Sequence, residues 1–571
     1  RYPGYTLARR VHLYSELRCL AFVTIESAMK VTKVFLRWYK SFNINYWNYD
    51  DRRDDVVARP WNFFKSADQK ESVEYPFIEI PIEKDITTII GANERGKSHL
   101  LSSIHKVLNG KDQSNEEKTF SKTDRCHYAS EKSQNTDLWP YIGIQVVCTK
   151  KNEFESISQI ANTPNASSKS PWESPITVIL GPFDTRNAAT LYFGEKNFPL
   201  DASSLDEIRK ILPTVKFIHS DISIADSISL KRLLKAYDSD VSNESELQFS
   251  YDFAQSIARK ISDLIIPNDQ QPPSVSSLIS QIKSLKDEAE SEKQIKKNKI
   301  HLELLLFRDI LGVSRQTLEY ISNLRDTERS YIESIVTSWN QEIERQLNIA
   351  KYWQQDQSFS LKVNYKNGVI YFEITDKTGH IYTFNERSSG LKYFLSYYIQ
   401  AKALGNSSSK EPVIILMDEP DSFLSILGQK NLLSIFEDLV SLELSKQNRQ
   451  LVYTTHSPFL INRNYPRRIR LVRKGDAEEG TQYIPDSQIR RYEPIRTALG
   501  IDCAQTIFMG ATNLILEGPT DQFLISELIR LFIEPDNASL FIDLNSVVLT
   551  SSSNGASVFD KILHASQWGD V

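Results

Sequence analysis

Eight residues constrain this chain more than any others. Gly91 to Ser98 read GANERGKS, set between an apolar, β-branched run (DITTII) and a stretch with helical periodicity (SHLLSSIHKVL). The spacing GxxxxGK[ST] between a strand and a helix has a definite physical meaning. The glycines let backbone amides turn inward around an anion, the helix N-terminus adds partial positive charge, Lys97 supplies a mobile cation and Ser98 a hydroxyl for Mg²⁺. Gly91, Asn93, Gly96, Lys97 and Ser98 are therefore the expected contacts of a nucleotide, ATP, and the surrounding chain is expected to be α/β.

Composition sets the frame around this loop. At 571 residues, with 40% hydrophobic and 25% charged residues, the chain reads as globular and long enough for several structural units. No apolar run approaches the ~20 residues of a membrane helix. The nearest, residues 17–25, is interrupted by Arg18, and no targeting signal is legible. Four scattered cysteines without CxxC or zinc spacing suit a reducing cytoplasm. A net charge of -5 excludes a broadly basic surface, so nucleic-acid binding would need a local groove.

Strand and helix patterns alternate from Met29 to about residue 200, with strands expected at 31–38, 77–82, 86–90, 141–149 and 176–180. Residues 201–350 turn to helical periodicity. Their proline run at 267–274 marks a hinge or tip, and Ile332, Val336, Trp339, Ile343 and Leu347 share one apolar face. The spacing of Leu278, Ile282, Leu285 and Ala289 is heptad-like but sustained over too few heptads for a long arm, so this block reads as a helical insertion packed on itself. Strands resume at 359–365 and 369–375. The resulting division is an N-terminal extension of unclear status (1–28), a first ATPase half (29–200), the insertion (201–350), a second ATPase half (351–495) and a C-terminal unit (496–571). The abrupt ends suggest a fragment.

Three further patterns belong with the phosphate loop. PVIILMDEPDSFL is an apolar strand ending in paired acids: Asp418 can hold Mg²⁺ through water, and Glu419, turned to the other side, can orient or deprotonate an attacking water. QLVYTTHSPFL delivers His456 at the carboxyl end of a strand, where open α/β sheets bind ligands. In NERSSGLKYFLSYYI, Ser388, Ser389 and Gly390 open a helix and make a second anion-binding end.

In this order the motifs resemble the SMC/RecF-type ABC ATPases over about residues 29–462. The resemblance implies that the serine-rich signature of one subunit covers the γ-phosphate bound to the other's P-loop. It also implies that Glu419 is catalytic, that His456 contacts the γ-phosphate, and that Asp421 lies at the dimer seam. The signature here is RSSGLK rather than LSGGQ, and Gln145 and residues 120–124 are candidates for the Q-loop.

A basic stretch, residues 463–475, reads as a linker to the C-terminal unit. There TNLILEGPTD is a strand ending in Glu517 with Asp521 heading a helix, and SVVLT is a second strand. This is similar to the opening of a TOPRIM domain, in which the resemblance makes Glu517 catalytic and places Glu517 and Asp521 near Mg²⁺. No DxD follows in this sequence, so the expectation is an incomplete metal site in a truncated TOPRIM-like domain. An ABC-type ATPase joined to TOPRIM resembles the OLD (overcoming lysogenization defect) family endonucleases. That resemblance implies a homodimer or higher homo-oligomer, DNA as partner, an anti-phage role with a possible separate defence partner, and no membrane. A RecF-like DNA clamp without nuclease activity, or an ATP-dependent scaffold for a separate effector, are the alternatives.

Overall fold

The computed structural model describes residues 29–43, 59–64, 73–74, 76–92, 96–110, 120, 122–126, 128, 139–162, 174–184, 187–218, 224–238, 302–324, 329–353, 355–406, 411–440, 449–475, 480–484, 512–516, 519–532, 542–544 and 547–551. The N-terminal extension, the proline run, the heptad-like positions, Asn93 and Glu517 lie outside them.

Along the first part of the chain run β1 (Lys30–Arg37), the short pair β2 (Phe63–Phe64) and β3 (Val73–Glu74), β4 (Ile78–Pro81) and β5 (Ile86–Ile90). There follow α1 (Lys97–Asn109), β6 (Tyr141–Val147), α2 (Lys151–Ile160), β7 (Ile176–Asp184), β8 (Asn187–Phe193) and β9 (Lys196–Leu200). The middle carries α3 (Ala202–Arg209), β10 (Thr214–Ile218), β11 (Ser227–Ser229), α4 (Leu230–Asp238), a π-helical segment at Leu305–Ile310, α5 (Arg315–Asn323), α6 (Arg329–Leu347) and α7 (Ile349–Tyr352). Then come β12 (Ser360–Lys366), β13 (Val369–Thr375), β14 (Ile381–Tyr382), α8 (Ser389–Asn406), β15 (Val413–Met417), α9 (Ile426–Val440), β16 (Arg449–Thr455), β17 (Ile469–Lys474) and β18 (Thr481–Ile484). Last are β19 (Thr512–Leu516), α10 (Pro519–Phe532) and β20 (Val547–Ser551).

The central sheet has the order β10-β15-β16-β5-β17-β18, parallel except for the last strand. Its inner strands are apolar on both faces because both are covered, as parallel sheets require. On β15, Ile414 and Leu416 join one core, while Ile415 and Met417 join the other; on β16, Val452 and the pair Leu451/Tyr453 divide the same way. The first core is closed by α1, through Leu100, Leu101, Ile104 and Val107, and by the antiparallel sheet β4-β1-β6-β7-β8-β9. The second is closed by α6, α8, α9 and the small sheet β11-β13-β12. The apolar stripe expected on α6 is real: Trp339, Ile343 and Leu347 are buried, with Ile332 and Val336 half-buried behind them.

Two expectations are corrected. The block 201–350 is not uniformly helical. Thr214–Ile218 is the edge strand of the parallel sheet, paired with Val413–Met417, and Ser227–Ser229 pairs with β13. A five-residue run surrounded by helices is too short for periodicity to distinguish, and only the neighbouring strand decides it. Nor is 463–475 a linker. Most of it is a short 3₁₀ turn and β17, which lies beside β5 at the centre of the fold. Arg467 and Arg473 are exposed, but Arg468 and Arg470 are buried because carboxylates await them: Arg468 donates to Asp85 (3.0 and 2.5 Å) and Glu437 (2.6 Å), and Arg470 to Glu83 (2.6 Å) and the Pro81 carbonyl (2.7 Å). Charge patterning alone reads such a run as exposed, whereas burial with full pairing is the other stable solution.

At the C-terminal end β19 and β20 pair in parallel, from Thr512 opposite Val547 to Leu516 opposite Ser551, with α10 crossing between them. Tyr465, just before β17, packs with Ile529 and Leu544, and Asn464 bonds Asp543 and the Leu544 amide, both at 2.8 Å.

Candidate nucleotide site

Strands β5, β15 and β16 are adjacent and parallel, so their carboxyl ends open on one edge of the sheet, with Thr455 opposite Ile90 and Met417 opposite Tyr453. The residues following each strand meet there. Gly91 leaves β5 so close to β17 that a Cβ would sit 2.5 Å from the Val472 carbonyl oxygen, which excludes any side chain. Gly96 adopts φ +84°, the left-handed region, and a Cβ there would reach Ser41 Oγ at 2.5 Å and Thr481 Oγ1 at 2.6 Å. Lys97 opens α1 and is 3% exposed. Its ammonium donates to the carbonyls of Gly91 and Ala92, each at 3.1 Å, and pairs with Glu419 Oε1 at 2.9 Å. Ser98, next on the helix, is exposed.

The acidic turn after β15 is held from β16. Thr454 Oγ1 donates to Asp418 Oδ1 at 2.5 Å and accepts the Glu419 amide at 2.9 Å. Glu419 has φ +42°, a conformation costly for a residue with a Cβ, and its side chain crosses to Lys97. Asp421 is turned inward at 4% exposure. Its Oδ1 accepts from Thr455 Oγ1 at 2.9 Å, and its Oδ2 lies 3.3 Å from His456 Nδ1. Burial pushes the Asp421 carboxyl above its usual range, opposed by the His456 ring and the Thr455 hydroxyl. The pKa of His99, on α1, is lowered to about 4 by burial and by Lys40, and its Nδ1 is hydrogen-bonded to Ser41 Oγ at 2.8 Å.

The structure brings together Gly91, Gly96, Lys97, Asp418, Glu419 and His456 around this edge, with Ser98 beside them. Ser388 and Ser389 stand exposed at the start of α8. A Cβ on Gly390 would meet the Phe423 carbonyl at 3.0 Å, so the signature start leans on the acidic turn. Helix α8 itself packs on α9, the π-helical segment and β10. Strands β15 and β16 separate β10 from β5, roughly 14 Å at the usual strand spacing. The Q-loop candidate Gln145 is placed on β6, bonded to Thr32 (3.2 Å) and Thr177 (3.4 Å) in the antiparallel sheet. In the other candidate segment, Asp124 is buried against Lys106 at 2.6 Å. Asp521 is exposed in the first turn of α10.

Sequence reasoning missed Thr454, Thr455, Ser457 and Gln429, which fix the acidic turn. The signal for the threonines is present in TTHSP, where two of them end a fully buried strand.

A family model described as an AAA ATPase domain matches residues 74–461, spanning every one of these motifs. The chain belongs to the AAA ATPase domain family. No curated protein matches it. Among solved structures, this AAA ATPase is similar to an SmcHead bound to the C-winged helix domain of ScpA, at 12% identity and TM-score 0.38, covering 80% of this chain and 97% of that one. An Smc head domain with coiled coil and joint from Pyrococcus yayanosii gives 12% identity and TM-score 0.35, over 83% and 99% of the two chains. The SMC head domain from Thermotoga maritima gives 10% and 0.33, over 80% and 98%. At such values the functional reading of this AAA ATPase rests on its own site residues. No helix among the described residues is long and apolar enough to cross a membrane.

Proposed function

We propose that the chain hydrolyses ATP at sites shared between two head-to-tail copies, and that this cycle controls a Mg²⁺-dependent TOPRIM nuclease acting on DNA, in the manner of the OLD family. The observation that carries the ATPase reading is the convergence of Lys97, Asp418, Glu419 and His456 at the carboxyl ends of three adjacent strands. Lys97 neutralises charge on the β- and γ-phosphates, and the amides of the loop and of α1 cradle them. Glu419 leaves the ammonium when nucleotide arrives and becomes free to orient or deprotonate water. His456 reaches the γ-phosphate.

Mg²⁺ suits the donors present, which are hard oxygens: the exposed Ser98 hydroxyl and the Asp418 carboxylate, whose Oδ1 is fixed by Thr454. Bound there, it would offset phosphate charge. Shared sites are the reading that the signature chemistry suggests: Ser388, Ser389 and Gly390 can bind phosphate, their helix start leans on the acidic turn, and the body of α8 packs chiefly on α9, the π-helical segment and β10, so a second copy would bring them over the γ-phosphate. A Glu419→Gln variant saturated with ATP should sediment as a dimer; a monomer would remove the shared-site reading.

The nuclease reading is supported by the parallel β19-α10-β20 unit, in which the residue after β19 is Glu517 and the first turn of α10 holds Asp521. DNA, and a separate protein of an anti-phage system, are the partners this reading implies. Plasmid nicking by the complete gene product, with and without ATP, tests it. Nicking that survives Glu517→Ala, or its absence while ATP is hydrolysed, leaves a RecF-like clamp or an ATP-dependent scaffold in its place.

A further inference from the structure

Gln429 lies on α9, outside every motif so far discussed, and its side chain is buried. Its Nε2 donates to the carbonyls of Leu424 (3.0 Å) and Asp421 (3.4 Å), at the end and the middle of the acidic turn. Its Oε1 accepts from Ser457 Oγ at 2.5 Å. The Ser457 amide donates to Thr455 Oγ1 at 3.0 Å, and that hydroxyl donates to Asp421 Oδ1 at 2.9 Å. The bonds close a ring: from Gln429 to the strand-end segment after β16, from there to Asp421, and through the Asp421 backbone to Gln429 again. Within the ring His456 Nδ1 faces Asp421 Oδ2 at 3.3 Å.

Such a ring has a mechanical consequence. The turn carrying Glu419 and the segment carrying His456 leave different strands, and nothing in a β-ladder fixes the angle of the residues beyond its last hydrogen bond. Buried polar groups that satisfy one another strengthen cooperatively and are costly to break singly, so the ring sets that angle. Its members are backbone carbonyls, the Ser457 amide, the Gln429 side chain, two hydroxyls and the Asp421 carboxylate, whose bonds close on one another rather than on Lys97 or Ser98, so phosphate binding does not depend on them.

We propose that Gln429 is a positioning residue for hydrolysis: by tying the Asp421–Leu424 turn to Ser457, it holds Glu419 and His456 as one rigid unit. The proposal rests on the ATPase reading above.

The test uses the full chain, with steady-state ATP hydrolysis and equilibrium ADP binding measured for wild type, Gln429→Met, Thr455→Val, Thr455→Ser and the Gln429→Met/Thr455→Val double variant. Gln429→Met keeps length and apolar bulk but removes both donors and the acceptor. Because misplacement of about 1 Å costs orders of magnitude in rate, kcat should fall roughly tenfold or more in Gln429→Met and Thr455→Val. ADP affinity and the KM for ATP should stay within about twofold, since phosphate binding does not use the ring. Thr455→Ser restores the hydroxyl and should recover most of kcat. The double variant should be no slower than the slower single one, because both break one ring.

Unchanged kcat in Gln429→Met, equal damage in Thr455→Ser and Thr455→Val, losses that multiply in the double variant, or ADP affinity falling in step with kcat would each overturn the proposal. If Gln429→Met does not fold, the Thr455→Val and Thr455→Ser pair carries the same decision. Absent hydrolysis in wild type overturns the ATPase reading and the proposal with it, whereas wild-type hydrolysis with a fully active Gln429→Met overturns the proposal alone.

Discussion

Replacing Glu419 by Gln should tighten ADP binding about fivefold, quite apart from abolishing turnover. The Lys97 ammonium is already satisfied by Glu419 Oε1 at 2.9 Å and two carbonyls at 3.1 Å. An incoming phosphate must displace that carboxylate. At 2.9 Å and an effective dielectric of about 20, the bare attraction is about 6 kcal/mol. Most of it is not realised, because the Glu419 side chain is 34% exposed and screened pairs retain only ~0.2–1 kcal/mol, with charged hydrogen bonds nearer ~1.5–3. Glutamine keeps a neutral bond to the same ammonium, worth ~0.5–1.5 kcal/mol. The difference is about 1 kcal/mol, or roughly fivefold in Kd. The left-handed backbone at Glu419 is present in both proteins and cancels. Calorimetry with Mg²⁺ and ADP isolates the effect, because ADP cannot accumulate as an unhydrolysed substrate. An ADP affinity unchanged or weakened in Glu419→Gln would refute competition between the carboxylate and the phosphate.

Gly91→Ala should destabilise the fold by about 1–3 kcal/mol in urea denaturation, since its Cβ would lie 2.5 Å from a carbonyl that β17 cannot withdraw; wild-type stability would mean that β17 yields. Arg468→Met strips one cation from Asp85 and Glu437, whose side chains are 26% and 36% exposed. Rehydration of those carboxylates should hold the loss to about 2 kcal/mol, below the ~3–5 of a fully buried pair, and a neutral result would show that the arginine only fills space. The Asp376 carboxyl is held at about 2, against an ordinary 3.8, by the Thr378 hydroxyl and then Arg387. A depressed folded value stabilises above 3.8 and is lost as pH falls toward about 2. Asp376→Asn should therefore flatten the acid limb of the melting profile between those values, and parallel profiles would remove the linkage.

Local chemistry explains what was legible in the sequence. GANERGKS, MDEP and TTHSP each sit where an apolar strand meets a polar turn, so the α/β class, the ATP-contacting loop and the acids beside it followed from spacing and strand character. The amphipathic stripe of α6 was equally plain, because a helix buries one side regardless of its partner. Other features depended on contacts between distant residues. Thr214–Ile218 became a strand because Val413–Met417 offered an open edge. Arg468 and Arg470 went inside because Asp85, Glu83 and Glu437 lay in reach. Asp421 turned inward to Thr455 and His456, and Gln429, with no motif to announce it, closed the ring around them. A charge or an amide in sequence carries no sign of whether its partner is water or a residue hundreds of positions away. Only the tertiary structure supplies that partner, and with it the difference between a solvated side chain and one that holds the site in place.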